Sequence, residues 1–109
     1  MTRVTLKEFI DLFNNNDMMK SSAIRGMEQL GEWGVAAEYW RKIGRDSDAE
    51  ACRLLEEAID RGDSYRESTK ELNDWVDKTV CEGIMTKEEA VRVIYPKIEE
   101  LYNRHYKSS

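Results

Sequence analysis

The residues with the greatest chemical reactivity are one histidine and two cysteines. His105 stands near the C-terminus in the tail LYNRHYKSS, and Cys52 and Cys81 belong to no CxxC motif. A cysteine and a histidine can act together as nucleophile and base, but no spacing in this sequence brings His105 next to either thiol. A histidine on an apolar helix stripe is more typical of packing than of catalysis. We therefore expect no catalytic residues and two free, reduced thiols.

Acidic residues occur in adjacent pairs and in one alternating run. The pairs are Glu56–Glu57, Glu88–Glu89 and Glu99–Glu100. Neighbouring helix positions point about 100° apart, so the two members of a pair do not share a site. The run Asp46, Asp48, Glu50 resembles the start of a calcium loop, with Glu57 at its twelfth position, but Ala51 replaces the glycine that the turn requires. The sequence therefore predicts no metal and no cofactor. The run is instead expected to start a helix that Asp46 or Ser47 caps, with the acids near its positive end.

A small basic cluster, Arg41, Lys42 and Arg45, lies beside Tyr39 and Trp40. Basic residues interleaved with aromatic ones are typical of nucleic-acid contacts. The whole chain, however, has 17 Lys and Arg against 22 Asp and Glu, with a formal net charge of −5. A protein of this charge has no general attraction for a polyanion or an anionic membrane. Nucleic acid is therefore disfavoured as the sole partner.

The composition fits a single globular domain over residues 1–109. Hydrophobic residues make up 40% and charged residues 36%, with one proline, and this excludes a disordered chain. A chain of this length buries a core without disulfides or metal. The N-terminal stretch MTRVTLKEFIDLF lacks a sustained apolar run, and no segment approaches the roughly 18 apolar residues of a membrane helix. We expect a cytoplasmic protein without membrane association.

Apolar spacing predicts an all-α fold, a compact bundle of five or six short helices. No run alternates at period two for the length of a strand. The predicted helices begin or end at the capping boxes Thr5–Glu8 and Thr86–Glu89 and at the glycines Gly62 and Gly83. Pro96 lies inside the pattern of the last helix and should kink or split it.

The stretch 31–44, GEWGVAAEYWRKIG, contains two of the three tryptophans and predicts the third helix. On a helical wheel its apolar residues span about 200°, wider than the roughly 100° stripe of a surface helix. Either helices cover this arc from two sides, or part of it is exposed. Trp40 lies near the centre of the arc, whereas Trp33 and Tyr39 lie near its edges. We expect Trp40 in the core and at least one of the other two partly exposed.

The same stretch resembles the second helix of a tetratricopeptide repeat. The resemblance lies in Gly31, which opens the turn, and in the pair Ala36-x3-Trp40. The first helix of that repeat requires the pattern W-x2-L-G-x2-Y, which residues 20–27 do not supply. The resemblance implies close helix packing at Ala36 and does not extend to membership of the family.

The lack of a catalytic set favours a function in binding, and aromatic residues and arginine dominate protein contacts. The expected contact residues are Trp33, Tyr39, Arg41, Lys42 and Trp75. The expected partner is a larger protein or complex, on which the chain acts as a regulator, an adaptor or an inhibitor, including the inhibitors carried by phages or encoded beside toxins. A nucleic-acid accessory protein using the Arg41–Arg45 cluster is the second interpretation, and a small hydrolase or metal-dependent enzyme is the third.

Overall fold

The computed structural model describes residues 4–106. Within that range the chain forms six α-helices and no strand. The helices are α1 Leu6–Asn15, α2 Lys20–Gln29, α3 Trp33–Lys42, α4 Asp46–Arg61, α5 Tyr65–Cys81 and α6 Lys87–Tyr106. A single 3₁₀ turn, Asp17–Met19, joins α1 to α2. The predicted all-α fold of five or six helices is confirmed.

Side-chain caps start three of the helices. The Thr5 hydroxyl accepts a hydrogen bond from the Glu8 amide at 3.3 Å, as predicted. Thr86 likewise accepts one at 3.1 Å at the start of α6. A complete capping box that was not predicted starts α5, where Ser64 and Glu67 each accept from the other's backbone amide. These caps satisfy amides that have no partner within the helix.

Glycine ends α4 and follows α5, as the sequence predicts. Gly62 and Gly83 have φ angles of +78° and +74°. This left-handed conformation reverses the chain direction after a helix and is strained for residues with a Cβ.

The prediction that Asp46 or Ser47 caps α4 is wrong. Arg45 occupies the cap position and makes no side-chain cap hydrogen bond. Ser47 instead donates to the carboxylate of Glu89 on α6 at 3.1 Å. The polar side chains at this end of α4 therefore connect helices rather than cap one.

The last helix runs through Pro96 without a split. Proline has no amide hydrogen, so the carbonyl of Arg92, four residues earlier, loses its helical partner. The Arg25 guanidinium of α2 donates to that carbonyl at 3.4 Å. A side chain from another helix thus supplies a donor where the proline removes one.

One hydrophobic cluster draws on all six helices. Helix α3 packs between α2 and α4, and α6 packs against α2, α4 and α5. Ala36 and Ala37 are buried on α3, as close packing requires. At Gly26 the ring of Phe9 occupies the space that a Cβ would need, so α1 and α2 approach closely there.

Candidate functional site

Trp33 is buried, with 4% of its surface exposed. Helices pack on both sides of α3, so Trp33 is not an exposed edge of the apolar arc, and its role in partner binding stays a prediction. Its indole Nε1 has no hydrogen-bond partner among the described residues. Trp33 belongs to the core and carries an unsatisfied buried donor.

The other four predicted contact residues remain at or near the surface but do not form one patch of free aromatic rings. Tyr39 is half-buried, with its ring edge-on to Phe13 at a centroid distance of 4.7 Å. Lys42 is exposed and places Nζ 4.5 Å from the centre of the Tyr39 ring. Arg41 is exposed, and Trp75 is half-buried against the core. Their role in partner binding stays a prediction.

The Arg41–Arg45 cluster presents fewer exposed cations than the sequence suggests. The Arg45 guanidinium forms two short bonds with the Asp48 carboxylate, at 2.7 and 2.9 Å. It also lies 4.8 Å from the ring centre of Trp40. Only Arg41 and Lys42 of the cluster are exposed, which leaves few cations for a nucleic-acid strand.

The interior contains an ionic network centred on Lys97 of α6. This lysine has no exposed surface, and Nζ lies 3.1 Å from a Glu28 oxygen and 3.0 Å from an Asp48 oxygen. Nζ also donates to the backbone carbonyl of Val93 at 3.1 Å. A buried ammonium is tolerated only when it is paired and hydrogen-bonded, as it is here. The network therefore ties α6 to α2 and α4.

Glu28 of α2 is the most highly connected member of the network. One of its oxygens accepts from Trp40 Nε1 at 2.9 Å and from Cys52 Sγ at 3.1 Å, in addition to the contact with Lys97. Its other oxygen lies 3.3 Å from Arg25. With 2% exposure, this carboxylate depends on the four partners to compensate for its lost hydration.

Trp40 occupies the centre of the same network, as predicted for a core residue. It has no exposed surface. Three cations lie near its ring: Arg45 at 4.8 Å, Arg25 at 5.2 Å and Lys97 at 5.8 Å from the ring centroid. Such contacts are favourable because the ring face is electron-rich. The tryptophan ring is therefore near all three of these cations.

This network was not predicted from the sequence. Its one readable signal is that Lys97 lies four residues after Val93 and four before Leu101, which are both buried. A lysine in line with core residues on a helix face indicates a buried charge. Nothing in the sequence identifies its two acidic partners, because they lie far from it along the chain.

Glu100 lies next to this network, half-buried on α6. Burial, together with the charges of Glu99 and Glu28, raises the pKa of the Glu100 carboxyl above its ordinary value. A raised pKa means that the folded state binds the proton more tightly than the unfolded state, so ionisation of Glu100 lowers stability as pH rises.

We expect Glu100→Gln to be more stable than the wild type in urea unfolding at pH 7. The gain should vanish below about pH 4, where ordinary glutamates are also protonated, and an equal gain at both pH values would contradict this cause.

The two cysteines differ in accessibility. Cys52 is fully buried, and its burial and the charge of Glu28 strongly raise the pKa of its thiol. Cys81 is exposed. Because the thiolate is the reactive form, we expect a water-soluble thiol reagent to modify one thiol per native chain, at Cys81, and the second only on unfolding. In Cys81→Ser no rapid reaction should remain. Equal protection of both thiols in the native wild-type chain would contradict the exposed position of Cys81 at the end of α5.

His105 is exposed near the end of α6, with its ring centroid 6.1 Å from that of Tyr65. It forms no hydrogen bond with another described residue, so none of residues 4–106 orients its ring through such a bond. Across residues 4–106, no group of three or more His, Cys, Asp or Glu side chains could hold a metal ion. The amine of Lys97 and the thiol of Cys52 lie in the interior, and neither residue has any exposed surface.

A group of four aromatic rings, three of them exposed, lies where α5 and α6 meet, and we term it the tyrosine surface. It consists of Tyr65, Tyr95, Tyr102 and Tyr106. Tyr65 packs edge-on against Tyr102 at 6.0 Å and against Tyr106 at 5.3 Å between ring centroids. The exposed fractions of Tyr95, Tyr102 and Tyr106 are 70%, 49% and 62%. Four of the five tyrosines of the chain therefore gather on one face.

Two open concavities adjoin the tyrosine surface, and Tyr65 lines both of them. The first has a volume of about 470 Å³ and is lined by Tyr65, Tyr95, Ile98, Glu99 and Tyr102. The second has a volume of about 440 Å³ and is lined by Tyr65, Arg66, Thr69, Lys70, Asn73 and Tyr106. We refer to them as the apolar concavity and the basic concavity. Their sizes fall in the range of sites that hold small ligands or single side chains.

The tyrosine surface was also missed in the sequence. Its signal is the spacing of Tyr95, Tyr102 and Tyr106, which places three tyrosines on one side of α6, away from Lys97 and Leu101. Tyr65 lies on α5, so its position beside these three tyrosines follows only from the packing of α5 against α6.

No segment of the described helices is long and apolar enough to cross a membrane. Comparison of the chain with protein-family models, with curated proteins and with solved structures finds no match.

Proposed function

We propose that this protein acts by binding a larger protein or complex, as a regulator, an adaptor or an inhibitor, and that the tyrosine surface is its main contact. The observation that carries the proposal is the exposure of Tyr95, Tyr102 and Tyr106 on one face. Tyrosine is among the residues that contribute most to protein contacts, since each ring offers a large apolar area and a polar end.

The arrangement of the rings supports this role. Tyr65, Tyr102 and Tyr106 contact one another and project from two helices. A tyrosine side chain has few rotatable bonds, and mutual contacts restrict it further, so little conformational entropy is lost on binding. The surface is thus suited to hold a partner without first being ordered by it.

The chemistry of the remaining groups also fits a binding protein. Lys97, Glu28, Asp48 and Cys52 lie in the interior, where a substrate would not meet them. We also propose a cytoplasmic location, which the free thiol of Cys81 at the surface supports because free thiols are typical of reducing compartments.

Retention of a partner from a lysate of the native host tests the proposal. We expect the immobilised wild-type chain to retain one protein in stoichiometric amount and the variant Tyr95→Ser/Tyr102→Ser to lose it. The matched control is Arg41→Ser/Lys42→Ser, which alters an exposed basic site elsewhere. Thermal unfolding of each variant checks that loss of binding is not loss of the fold.

Each outcome decides a separate point. If the wild-type chain retains no stoichiometric protein, the proposed function is wrong. If the Arg41→Ser/Lys42→Ser variant loses the partner and the tyrosine variant keeps it, the contact lies on α3, as the sequence predicted for Tyr39, Arg41 and Lys42.

A further inference from the structure

The two concavities beside Tyr65 differ in chemistry. In the apolar concavity, the rings of Tyr95 and Tyr102 and the side chain of Ile98 form most of the wall, and Glu99 is its one ionisable carboxylate. A wall of this kind favours an aromatic or aliphatic side chain, which loses its hydration there without losing hydrogen bonds.

The basic concavity has two charged side chains in its wall, and both are cations, Arg66 and Lys70. Lys70 forms an exposed ion pair with Asp74 at 2.8 Å, and such a pair contributes little and is readily exchanged. Arg66 is exposed and has no ion-pair partner among the described residues. Thr69 and Asn73 add hydrogen-bonding groups to the same wall. A carboxylate fits this wall best, since the arginine fork can bind it through two hydrogen bonds.

A peptide matches these two sites better than a nucleic-acid strand does. A strand presents a phosphate at every nucleotide, and the chain has a net charge of −5, so two local cations would meet a polyanion that the rest of the molecule repels. A peptide segment presents one or two carboxylates, which is the number that Arg66 and Lys70 can neutralise.

We infer that the tyrosine surface binds a short segment of the partner protein that carries a bulky apolar residue and, close to it in sequence, an aspartate or glutamate. The apolar side chain enters the apolar concavity, and the carboxylate pairs with Arg66 and Lys70 in the basic concavity. Tyr65 separates the two positions and so sets the spacing between the two residues. This inference rests on the proposed function and adds to it the chemistry of the partner.

Selection of displayed random peptides on the full chain tests the inference, with the Tyr95→Ser/Tyr102→Ser variant used to remove peptides that bind elsewhere. We expect the selected peptides to share an aromatic or aliphatic residue and an acidic residue at a constant spacing. Changing the acid to its amide in a selected peptide should weaken binding by about tenfold, which corresponds to about 1.4 kcal/mol.

The charge-reversal variant Arg66→Glu/Lys70→Glu provides the matched test on the protein. Both residues are exposed, so the fold should be retained, as thermal unfolding can verify. This variant should bind the acidic peptide at least about tenfold more weakly and should select peptides with lysine or arginine in place of the acid. Rising salt should weaken the wild-type complex.

Any one of the following results would overturn the inference. The first is selected peptides without a shared acid, or binding that the charge reversal leaves unchanged. The second is tight binding of a single-stranded oligonucleotide that depends on Tyr102. The third is concentration-dependent dimerisation that the tyrosine variant abolishes, which would make a second copy of this chain the occupant. If the lysate partner is lost with Tyr95→Ser/Tyr102→Ser but kept with Arg66→Glu/Lys70→Glu, the proposed function stands and the acidic motif is wrong.

Discussion

Replacing Lys97 by methionine is expected to lower the free energy of unfolding by about 3–5 kcal/mol, the usual cost of removing one partner from a buried ion pair. Methionine keeps most of the aliphatic stem but removes the ammonium that lies within 3.1 Å of both Glu28 and Asp48. The two carboxylates then remain in the interior without the cation that lies between them, and they repel each other more strongly. Urea unfolding at neutral pH measures the difference.

The matched control for this variant is Lys70→Met. Lys70 also lies on a helix and pairs with an aspartate, at 2.8 Å, but both side chains are largely exposed. We expect this control to change the free energy of unfolding by no more than about 0.5 kcal/mol. Similar small effects of both substitutions would show that the interior network contributes no more than a surface pair.

Trp40→Ala is expected to destabilise the fold by about 3–5 kcal/mol, the cost of emptying a large aromatic site in a core. The side chain is fully buried, and its indole N–H is one of the donors to the Glu28 carboxylate. Its loss leaves a cavity and also removes the ring near which Arg25, Arg45 and Lys97 lie. The melting temperature, followed by circular dichroism, should fall by at least about 10 °C.

A pair of tryptophan-to-phenylalanine substitutions separates the hydrogen bond from the packing. Trp40→Phe keeps an aromatic ring but removes the donor to Glu28, and it should cost about 1–3 kcal/mol for the hydrogen bond. Trp33→Phe on the same helix removes an indole N–H that has no partner among the described residues. Trp33→Phe should therefore lower the free energy of unfolding by clearly less than Trp40→Phe does. Equal losses would mean that ring size, rather than the bond to Glu28, determines the effect at position 40.

Much of the fold could be predicted from the sequence, because local features determine helix positions. The cap at Thr5 and the turn at Gly62 each act within a few residues, and the apolar period places Trp40 in the core. The cap that the sequence predicts for α4 is wrong, since Ser47 and Asp48 bond to side chains of α6 rather than to their own backbone. Sequence rules that consider only neighbouring residues do not show which side chains bond to another helix.

The candidate site was much less predictable. The width of the apolar arc on α3 indicated that some of it could be exposed, but helices on both sides bury Trp33. Three tyrosines of α6 lie on one side of that helix, and the sequence alone did not reveal whether that side was covered. Glu28, Asp48 and Lys97 come from three helices, and only their packing brings them within hydrogen-bonding distance.

Opposite faces of helix α6 contact the buried ionic network and carry most of the tyrosine surface. Lys97 faces the buried network, while Tyr95, Tyr102 and Tyr106 lie on the opposite side of the same helix. Any fluctuation that detaches α6 from α2 and α4 therefore displaces three tyrosine rings at once. On the proposed function, the fraction of chains able to bind cannot exceed the fraction in which α6 is docked, so a weaker ionic network would lower the apparent affinity. A bound partner should in turn slow amide hydrogen exchange along α6, on the buried face that the partner never touches.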